Sequence, residues 1–260
     1  MSGQASTLPV PTSPGATAAT GEVDDAAEVP STAATVEPLT EIVVVVPIRD
    51  EQTLLGRALD AIAVACDRVD VPTRVVCVLD RSSDDSERIA TASGAQIVVS
   101  ELGRAGGARR MGVTAALARM AVPMLPTTWI ANTDADSIVP PDWLREHRAL
   151  ADTGADLVVG TVEPDSDDVP ESVMAVWRAS HLFEPGHDHV FGANLGVRAT
   201  AYIAAGGFAD VPLHEDLLLV RALRESGVEE ARVASTPVVT SGRRSGRAPG
   251  GFADYVATLS

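Results

Sequence analysis

The sequence predicts an α/β fold in which a single open, mostly parallel sheet is flanked by helices. Short apolar runs rich in β-branched residues alternate with segments whose apolar residues recur at helical spacing. This alternation is typical of parallel strands joined by right-handed crossovers. The first run, residues 42–46, is apolar without interruption, as expected for a strand buried on both faces. A hydrophobic content of 45% over 260 residues is enough for one large core.

The first 40 residues differ in composition from the rest of the chain. They are rich in Ala, Thr, Pro, Ser and Gly. Such a segment buries too little apolar surface to offset the entropy lost on ordering. We therefore predict a disordered tail over residues 1–40 and a folded domain over residues 41–260. The charged residues of the tail are all acidic: Glu22, Asp24, Asp25, Glu28 and Glu37.

Charge and cysteine content exclude several classes of protein. The formal net charge of −16 argues against a nucleic-acid binder that neutralises phosphates over a broad face. Cys66 and Cys77 fall in a helix-like and a strand-like apolar stretch, so we expect neither a disulfide framework nor a zinc site. We expect no integral membrane segment and no secretory leader, and hence a cytoplasmic protein, with peripheral attachment to a membrane as the alternative.

In the first half of the domain, the sequence predicts strands that end in polar turns. Ligands collect at the carboxyl ends of the strands in an open α/β sheet. The turn from Pro47 to Glu51, Asp80 and the pair Asp134/Asp136 all follow predicted strands. Neither a Gly-x-Gly-x-x-Gly nor a Walker-type loop follows the first strand, which argues against a Rossmann dehydrogenase or a P-loop enzyme. The predicted strands are 42–46 (ended by Pro47), 74–79, 96–99 and 128–132, and the predicted helices are 51–66, 84–92 and 103–120.

The second half alternates less regularly. The predicted helices are 141–151, 170–183, 199–205 and one that opens at 214, and the predicted strands are 156–161, 190–197 and 232–240. A Gly/Arg-rich loop over residues 241–251 follows the last predicted strand.

Asp134 and Asp136 form an acid-x-acid pair directly after the fourth predicted strand. Side chains alternate along an extended chain, so both carboxylates project to the same side. Two carboxylates this close repel each other unless a cation lies between them. Their oxygens suit a hard divalent ion, Mg²⁺ or Mn²⁺. The alternative is a strand-end turn, where Asp is common because of its local hydrogen bonds.

Four short blocks together resemble family 2 glycosyltransferases with the GT-A fold. In chain order they are Val-Pro-Ile-Arg-Asp-Glu at 46–51, Val-Leu-Asp-Arg-Ser-Ser at 78–83, Asp-Ala-Asp at 134–136, and Glu215-Asp216 followed by Arg221. The resemblance covers about residues 40–250. It implies a nucleotide-sugar-binding half over about 41–137 and an acceptor half over about 138–260. It also implies a UDP- or GDP-sugar donor and an acceptor that the sequence does not identify.

Two residues depart from the pattern of that family. Asp50 stands where the family usually has Asn, and Arg81 stands where it has a second Asp. Arg81 would add a cation near the expected base pocket, so the resemblance identifies uridine less securely than it identifies the fold.

The resemblance implies roles for the residues of the donor side. Pro47, Arg49, Glu51 and Asp80 would line the nucleotide pocket, where Asp80 could accept a hydrogen bond from a base N–H. Helix capping is the alternative role for Asp80. Asp136, helped by Asp134, would hold Mg²⁺ or Mn²⁺ against the donor diphosphate. Further contacts to the diphosphate would come from arginines: Arg104, Arg109, Arg243, Arg244 and Arg247.

The resemblance also implies that Asp216 is the general base, which deprotonates the acceptor hydroxyl before it attacks and inverts the anomeric carbon. Glu215 beside it would raise the apparent pKa of the pair. The alternative is a pair of acids that stabilise a helix N-terminus. Trp177 and residues 191–194 would border the acceptor, and the alternative for Trp177 is a core aromatic on an amphipathic helix. Two other functions remain open, a sugar-phosphate nucleotidyltransferase and a non-catalytic relative that binds nucleotide or a partner protein.

Overall fold

The computed structural model describes residues 36–181, 184–244, 246 and 250–259. The strands in these ranges are β1 (Glu41–Ile48), β2 (Thr73–Asp80), β3 (Gln96–Ser100), β4 (Thr128–Asn132), β5 (Ser137–Ile138), β6 (Leu157–Val159), β7 (Val162–Pro164), β8 (Leu195–Arg198), β9 (Glu230–Arg232) and β10 (Val238–Thr240). The α-helices there are α1 (Leu55–Asp67), α2 (Ser86–Ala92), α3 (Ala105–Leu117), α4 (Trp143–Asp152), α5 (Glu171–Ser180), α6 (Ala199–Ala204), α7 (Glu215–Glu225) and α8 (Phe252–Thr258).

Seven of the strands in the described ranges form one sheet, in the order β3-β2-β1-β4-β8-β6-β9. Its neighbouring strands pair in parallel, except that β8 runs antiparallel to both β4 and β6. The sheet is therefore open and mostly parallel, as predicted. Of the predicted tail over residues 1–40, residues 1–35 lie outside the described residues and residues 36–40 are described. Leu39 is buried, and its backbone N–H donates to Asp152 Oδ1 at 2.8 Å.

Helices cover both faces of the large sheet because successive residues of β1 point to opposite sides. Val44 and Val46 pack in a core with α1 and α4, which contribute Leu59 and Trp143 among others. The alternate residues of β1 pack on the other face against apolar residues of α3, α6 and α7. This two-sided burial explains why β1 is an uninterrupted apolar run.

A small second sheet lies beside the acid-x-acid turn. β10 pairs antiparallel with β5, which follows Asp136 directly, and parallel with β7. The backbone N–H of Ser241 donates to the carbonyl of Asp136 at 3.2 Å. The small sheet thereby holds the start of the Gly/Arg loop against the acid pair. In the part of the chain that the structure describes, no helix has the length and apolar character needed to cross a bilayer.

Four predicted strands of the first half are confirmed as β1 to β4, with small differences at their ends. The prediction that Pro47 ends β1 is wrong, since the strand continues to Ile48. Thr133 N–H donates to the carbonyl of Val45, so this side of β1 faces β4, and β4 ends at Asn132. The backbone of Pro47 also faces the β4 side, but it lies beyond the last residue of β4. An N–H at Pro47 would therefore have no strand partner, and proline is tolerated there.

Several predictions for the second half are wrong in detail. The predicted strand over 190–197 begins only at β8, because Gly192–Asn194 form a turn of 3-10 helix. The predicted strand over 156–161 forms only the shorter β6, whereas the predicted strand over 232–240 divides into the end of β9 and β10, which belong to different sheets. An apolar run predicts that a segment is buried, but it does not predict where the chain leaves one sheet and enters another.

Candidate active site

A cavity of about 700 Å³ opens at the carboxyl ends of β1, β2 and β4. Residues from all four sequence blocks line it. Its lining brings together the predicted site residues Pro47, Arg49, Glu51, Asp80, Arg104, Arg109, Asp134, Asp136, Glu215 and Asp216.

Asp80 is held at the end of β2 by the turn that follows β3. Its Oδ1 accepts hydrogen bonds from Ser100 Oγ at 2.8 Å and from Gly103 N–H at 2.9 Å. Asp80 is buried, yet it lines the cavity. These bonds hold the carboxylate against the turn that follows β3 rather than at the first turn of α2. That turn is instead served by Asp84, whose Oδ1 accepts from Ser86 N–H at 3.0 Å.

Arg81 does not line this part of the cavity, although the sequence suggested a cation near the base. Its backbone lies in the left-handed region with φ of 55°. The side chain turns back along the surface, where Nε donates to the carbonyl of Glu101 at 2.8 Å. Arg49 lines the cavity, and it donates to the carbonyl of Gly103 at 3.4 Å.

Asp136 lies at the centre of a buried group of charges. Arg243 contacts Asp136 Oδ2 and Glu51 Oε1, each at 2.8 Å. The pKa of Asp136 is raised to about 6, chiefly by burial and also by the neighbouring Asp134, while Arg243 opposes both effects. Arg243 is itself anchored, because Asp168 Oδ2 accepts from the adjacent Gly242 N–H at 2.9 Å.

Arg109 occupies a position that the sequence did not indicate. It was expected at the donor diphosphate, but its guanidinium is buried and contacts Asp134 Oδ1 with one terminal nitrogen and Glu215 Oε1 with the other. Burial opposes its charge, yet Asp134 and Glu215 together raise the pKa of Arg109 above its usual value. Arg109 therefore ties the acid-x-acid turn to the start of α7.

Glu215 and Asp216 differ in exposure and in partners. Burial raises the pKa of Glu215, while Arg109 counteracts that effect in part. Asp216 faces the cavity, and its Oδ2 accepts from the backbone N–H of Gly192 at 2.8 Å. Asp216 is therefore the more accessible carboxylate of the pair, and Glu215 is committed to Arg109.

The remaining predicted arginines do not contact the acid pairs of the cavity in the residues that the structure describes. Arg104 lines the cavity but contacts Asp210 Oδ1 at 3.0 Å. Arg244 is exposed and is not among the residues that line the cavity. Arg247 lies outside the described residues.

Trp177 was expected either beside the acceptor or in the core, and the structure places it in the core. Trp177 is fully buried, with its ring stacked on His181 at a centroid distance of 3.7 Å. Phe191, from the predicted segment 191–194, lines the cavity together with Phe252 and Tyr255 of α8. Sequence reasoning missed α8, which follows the Gly/Arg loop with too short an apolar pattern to stand out.

The acids at the end of β4 fit a divalent cation. In the residues that the structure describes, no group of three or more His, Cys, Asp or Glu side chains is arranged to hold a metal. A site of one or two carboxylates leaves coordination positions for phosphate oxygens, which is how Mg²⁺ commonly binds with nucleotides. The raised pKa of Asp136 and its contact with Arg243 indicate a place that favours positive charge.

The open, mostly parallel sheet is that of the GT-A class of glycosyltransferases, and two acid pairs line the cavity at its carboxyl edge. The chain belongs to glycosyl transferase family 2, whose family model matches residues 43–204.

Three relatives illustrate the likeness. A curated undecaprenyl-phosphate 4-deoxy-4-formamido-L-arabinose transferase from Serratia proteamaculans (strain 568) is 29% identical over 136 residues, or 51% of this chain and 40% of that protein. The structure of S. aureus TarS 1–349 with UDP-GlcNAc has a TM-score of 0.58 at 15% identity, covering 84% of this chain and 65% of that one. The mannosyltransferase PcManGT from Pyrobaculum calidifontis, with GDP-Man and Mn²⁺, also has a TM-score of 0.58, at 19% identity, covering 82% and 61%.

These structural likenesses support the GT-A fold. The chain spans about two fifths of the length of the curated relative and less than two thirds of the TarS and PcManGT chains.

Proposed function

We propose that this chain transfers a sugar from a nucleoside-diphosphate sugar to an acceptor hydroxyl, with inversion at the anomeric carbon. The observation that carries the proposal is that Asp80, the pair Asp134/Asp136 and Asp216 line one cavity. A donor bound there would lie between the base end at Asp80 and the acid pair of α7. Residues 41–137 would then form the donor half and residues 138–260 the acceptor half.

The donor is a nucleotide sugar in the TarS and PcManGT structures, and a UDP- or GDP-sugar is our proposal for this chain. Asp80 would accept a hydrogen bond from a base N–H, because its carboxylate is already oriented by Ser100 and Gly103. Pro47 and Arg49 would lie along the nucleoside.

Asp136, assisted by Asp134, would hold Mg²⁺ or Mn²⁺ at the diphosphate, an ion that supplies neutralisation of the charge on the leaving group. Arg243 would move away from Asp136 and Glu51 as the donor enters, since its guanidinium contacts the carboxylate that the ion needs. The released arginine would be available to the diphosphate oxygens.

Asp216 would take the proton of the acceptor hydroxyl as that oxygen attacks the anomeric carbon. The bond from the anomeric carbon to the diphosphate oxygen breaks, and its electron pair leaves with the nucleoside diphosphate. Gly192 N–H would keep the Asp216 carboxylate aimed at the acceptor. Glu215 would keep Asp134 and Asp216 at a fixed separation through Arg109.

A thermal-shift panel tests the donor site. UDP, GDP, ADP and CDP are each added with and without Mn²⁺ to the wild type, to Asp136→Ala and to the control Asp188→Ala. A ligand that binds the folded state raises its melting temperature. We expect one diphosphate to stabilise wild type and Asp188→Ala only with Mn²⁺, and to lose this effect in Asp136→Ala. Asp188 suits the control because its side chain is 93% exposed and contacts Arg232, away from the cavity.

The same panel separates the alternatives. Equal shifts in Asp136→Ala and wild type would contradict the proposed metal role of Asp136. A non-catalytic relative would bind a diphosphate without turning over the donor, and a nucleotidyltransferase would release pyrophosphate. Analysis of products from the matching nucleotide sugar therefore distinguishes these functions.

A further inference from the structure

The side of the cavity next to Asp216 is built mainly from apolar and aromatic side chains. We define the acceptor wall as Phe191, Pro212, Leu213, Leu217, Phe252 and Tyr255, all of which line the cavity. Asp216 joins this wall directly, since Gly192, the residue after Phe191, donates its N–H to Asp216 Oδ2. Leu217 follows Asp216 at the start of α7.

The acceptor wall combines residues from three parts of the chain. The rings of Phe191 and Phe252 lie 6.5 Å apart between centroids, edge to face. Tyr255 lies one turn further along α8. On the opposite side, Leu213 packs so closely on Gly250 that a Cβ there would lie 2.9 Å from Leu213 Cδ1.

Two large side chains of this wall are partly exposed to solvent. Leu217 is 44% exposed and Tyr255 is 41% exposed. Exposed apolar side chains that border a cavity with convergent polar groups are typical of a ligand site.

We propose that the acceptor carries its reactive hydroxyl on an apolar body that packs on the acceptor wall. This inference rests on the proposed function and specifies its substrate class. The polar end of the acceptor would reach Asp216, and the apolar body would extend over Leu217 and Tyr255 toward the mouth of the cavity.

Adjacent residues of α7 provide a matched control. Leu218 is 43% exposed, nearly the same as Leu217, but it does not line the cavity. Leu217→Ser and Leu218→Ser therefore make the same chemical change at similar exposure, and only the first alters the acceptor wall. Melting temperatures of both variants establish that they are folded.

Calorimetric titration of the protein with UDP and Mn²⁺ present tests the proposal, using methyl and hexyl β-glucopyranoside as probes. They share one head group, and burial of each added methylene strengthens binding by about fourfold at most. We expect hexyl glucoside to bind wild type and Leu218→Ser about tenfold or more tightly than methyl glucoside. In Leu217→Ser the ratio should fall to about threefold or less, and the heat-capacity change should become less negative.

Equal affinities of the two probes for the wild type would overturn the proposal, as would an equal loss in both serine variants. UDP-induced thermal shifts of the same samples distinguish failure of the apolar-acceptor proposal from failure of the proposed donor site. Intact UDP binding without a chain-length preference refutes the apolar acceptor alone. A chain-length preference without any UDP binding supports the apolar wall and refutes the proposed donor site.

Discussion

Arg109 is a buried cation on which two acidic motifs converge. A buried ion pair gains little over an apolar core, but removal of one partner leaves an uncompensated buried charge. Arg109 has carboxylates on both terminal nitrogens, and its guanidinium lies 5.7 Å from the centroid of the Phe208 ring. The side chain thus has a structural role that its place in a Gly-rich helix entry did not predict.

Arg109→Met should destabilise the fold by about 3–5 kcal/mol, because Asp134 and Glu215 would lose their common partner. The measurement is urea unfolding of both proteins at neutral pH. Arg221→Met is the control, since Arg221 also pairs with a glutamate but is exposed. An Arg109 variant no less stable than the Arg221 variant would contradict this interpretation.

Asp216→Asn should slow donor hydrolysis by about 10²–10⁴-fold, because water is an acceptor that also needs a base. The assay needs no identified acceptor, and the UDP-induced thermal shift should remain unchanged. Glu225→Gln, at the exposed end of α7, should hydrolyse the donor at the wild-type rate. Wild-type hydrolysis by folded Asp216→Asn would exclude Asp216 as the base.

Asp136 should make the stability of the metal-free protein depend on pH. Its pKa is about 6 in the folded chain and about 3.9 when unfolded, so the folded state binds more protons between these values. Stability from this group is therefore present below about pH 4 and is lost as pH rises through about 6. Asp136→Asn should match wild type near pH 4 and exceed its stability by about 1–3 kcal/mol at pH 7. A stability difference that does not change with pH would show that the carboxylate is not perturbed.

At the scale of elements, the close approach of α3 to the sheet brings Arg109 beneath the acids. A Cβ at Gly112 would lie 2.7 Å from Val45 Cγ1 and 2.8 Å from Val78 Cγ2. Only glycine lets the helix pack this near to β1 and β2 without a shift of core side chains. Arg109 lies about one turn before this contact, on the same face of the helix.

Gly112→Ala should therefore destabilise the fold by about 1–3 kcal/mol, even though alanine is the better helix former. Gly56 in α1 is the matched control, because nothing lies within 4 Å of a Cβ built there. Gly56→Ala should stabilise the fold by up to about 1 kcal/mol. Thermal unfolding of both variants checks the opposite signs, and a stabilising Gly112→Ala would show that the helix can move away.

Local pattern predicted β1 to β4 well because each is a compact apolar run that ends in a polar turn. It failed over residues 190–194, where Gly192 N–H bonds to Asp216 instead of to a neighbouring strand. The local pattern also predicted one strand where the structure has β9 and β10, because both strands are short and the residues between them resemble a strand. These errors share a cause, which is that the partner of each segment lies far away in sequence.

At the scale of the whole molecule, the acids of the site and two of its arginines could be predicted, but the pairing of those arginines with the acids could not. Asp134, Asp136, Glu215 and Asp216 follow recognisable local patterns, and all of them line the cavity. The pairing of Arg109 with Glu215 spans 106 residues and that of Arg243 with Glu51 spans 192. No local spacing encodes such contacts, so the charge balance emerges only when the two halves of the sheet are folded together.

The long span between Glu51 and Arg243 also matters while the chain is being made. Synthesis proceeds from the N-terminus, and β1, β2 and β4 emerge from the ribosome well before Arg243. A nascent chain that stops short of β10 carries Glu51, Asp134 and Asp136 without the arginine that contacts two of them. Such a chain has Arg109 as a partner for Asp134 but lacks the contacts of Arg243 with Glu51 and Asp136. The proposed donor site therefore gains these contacts only after β10 and the residues that follow it have been made.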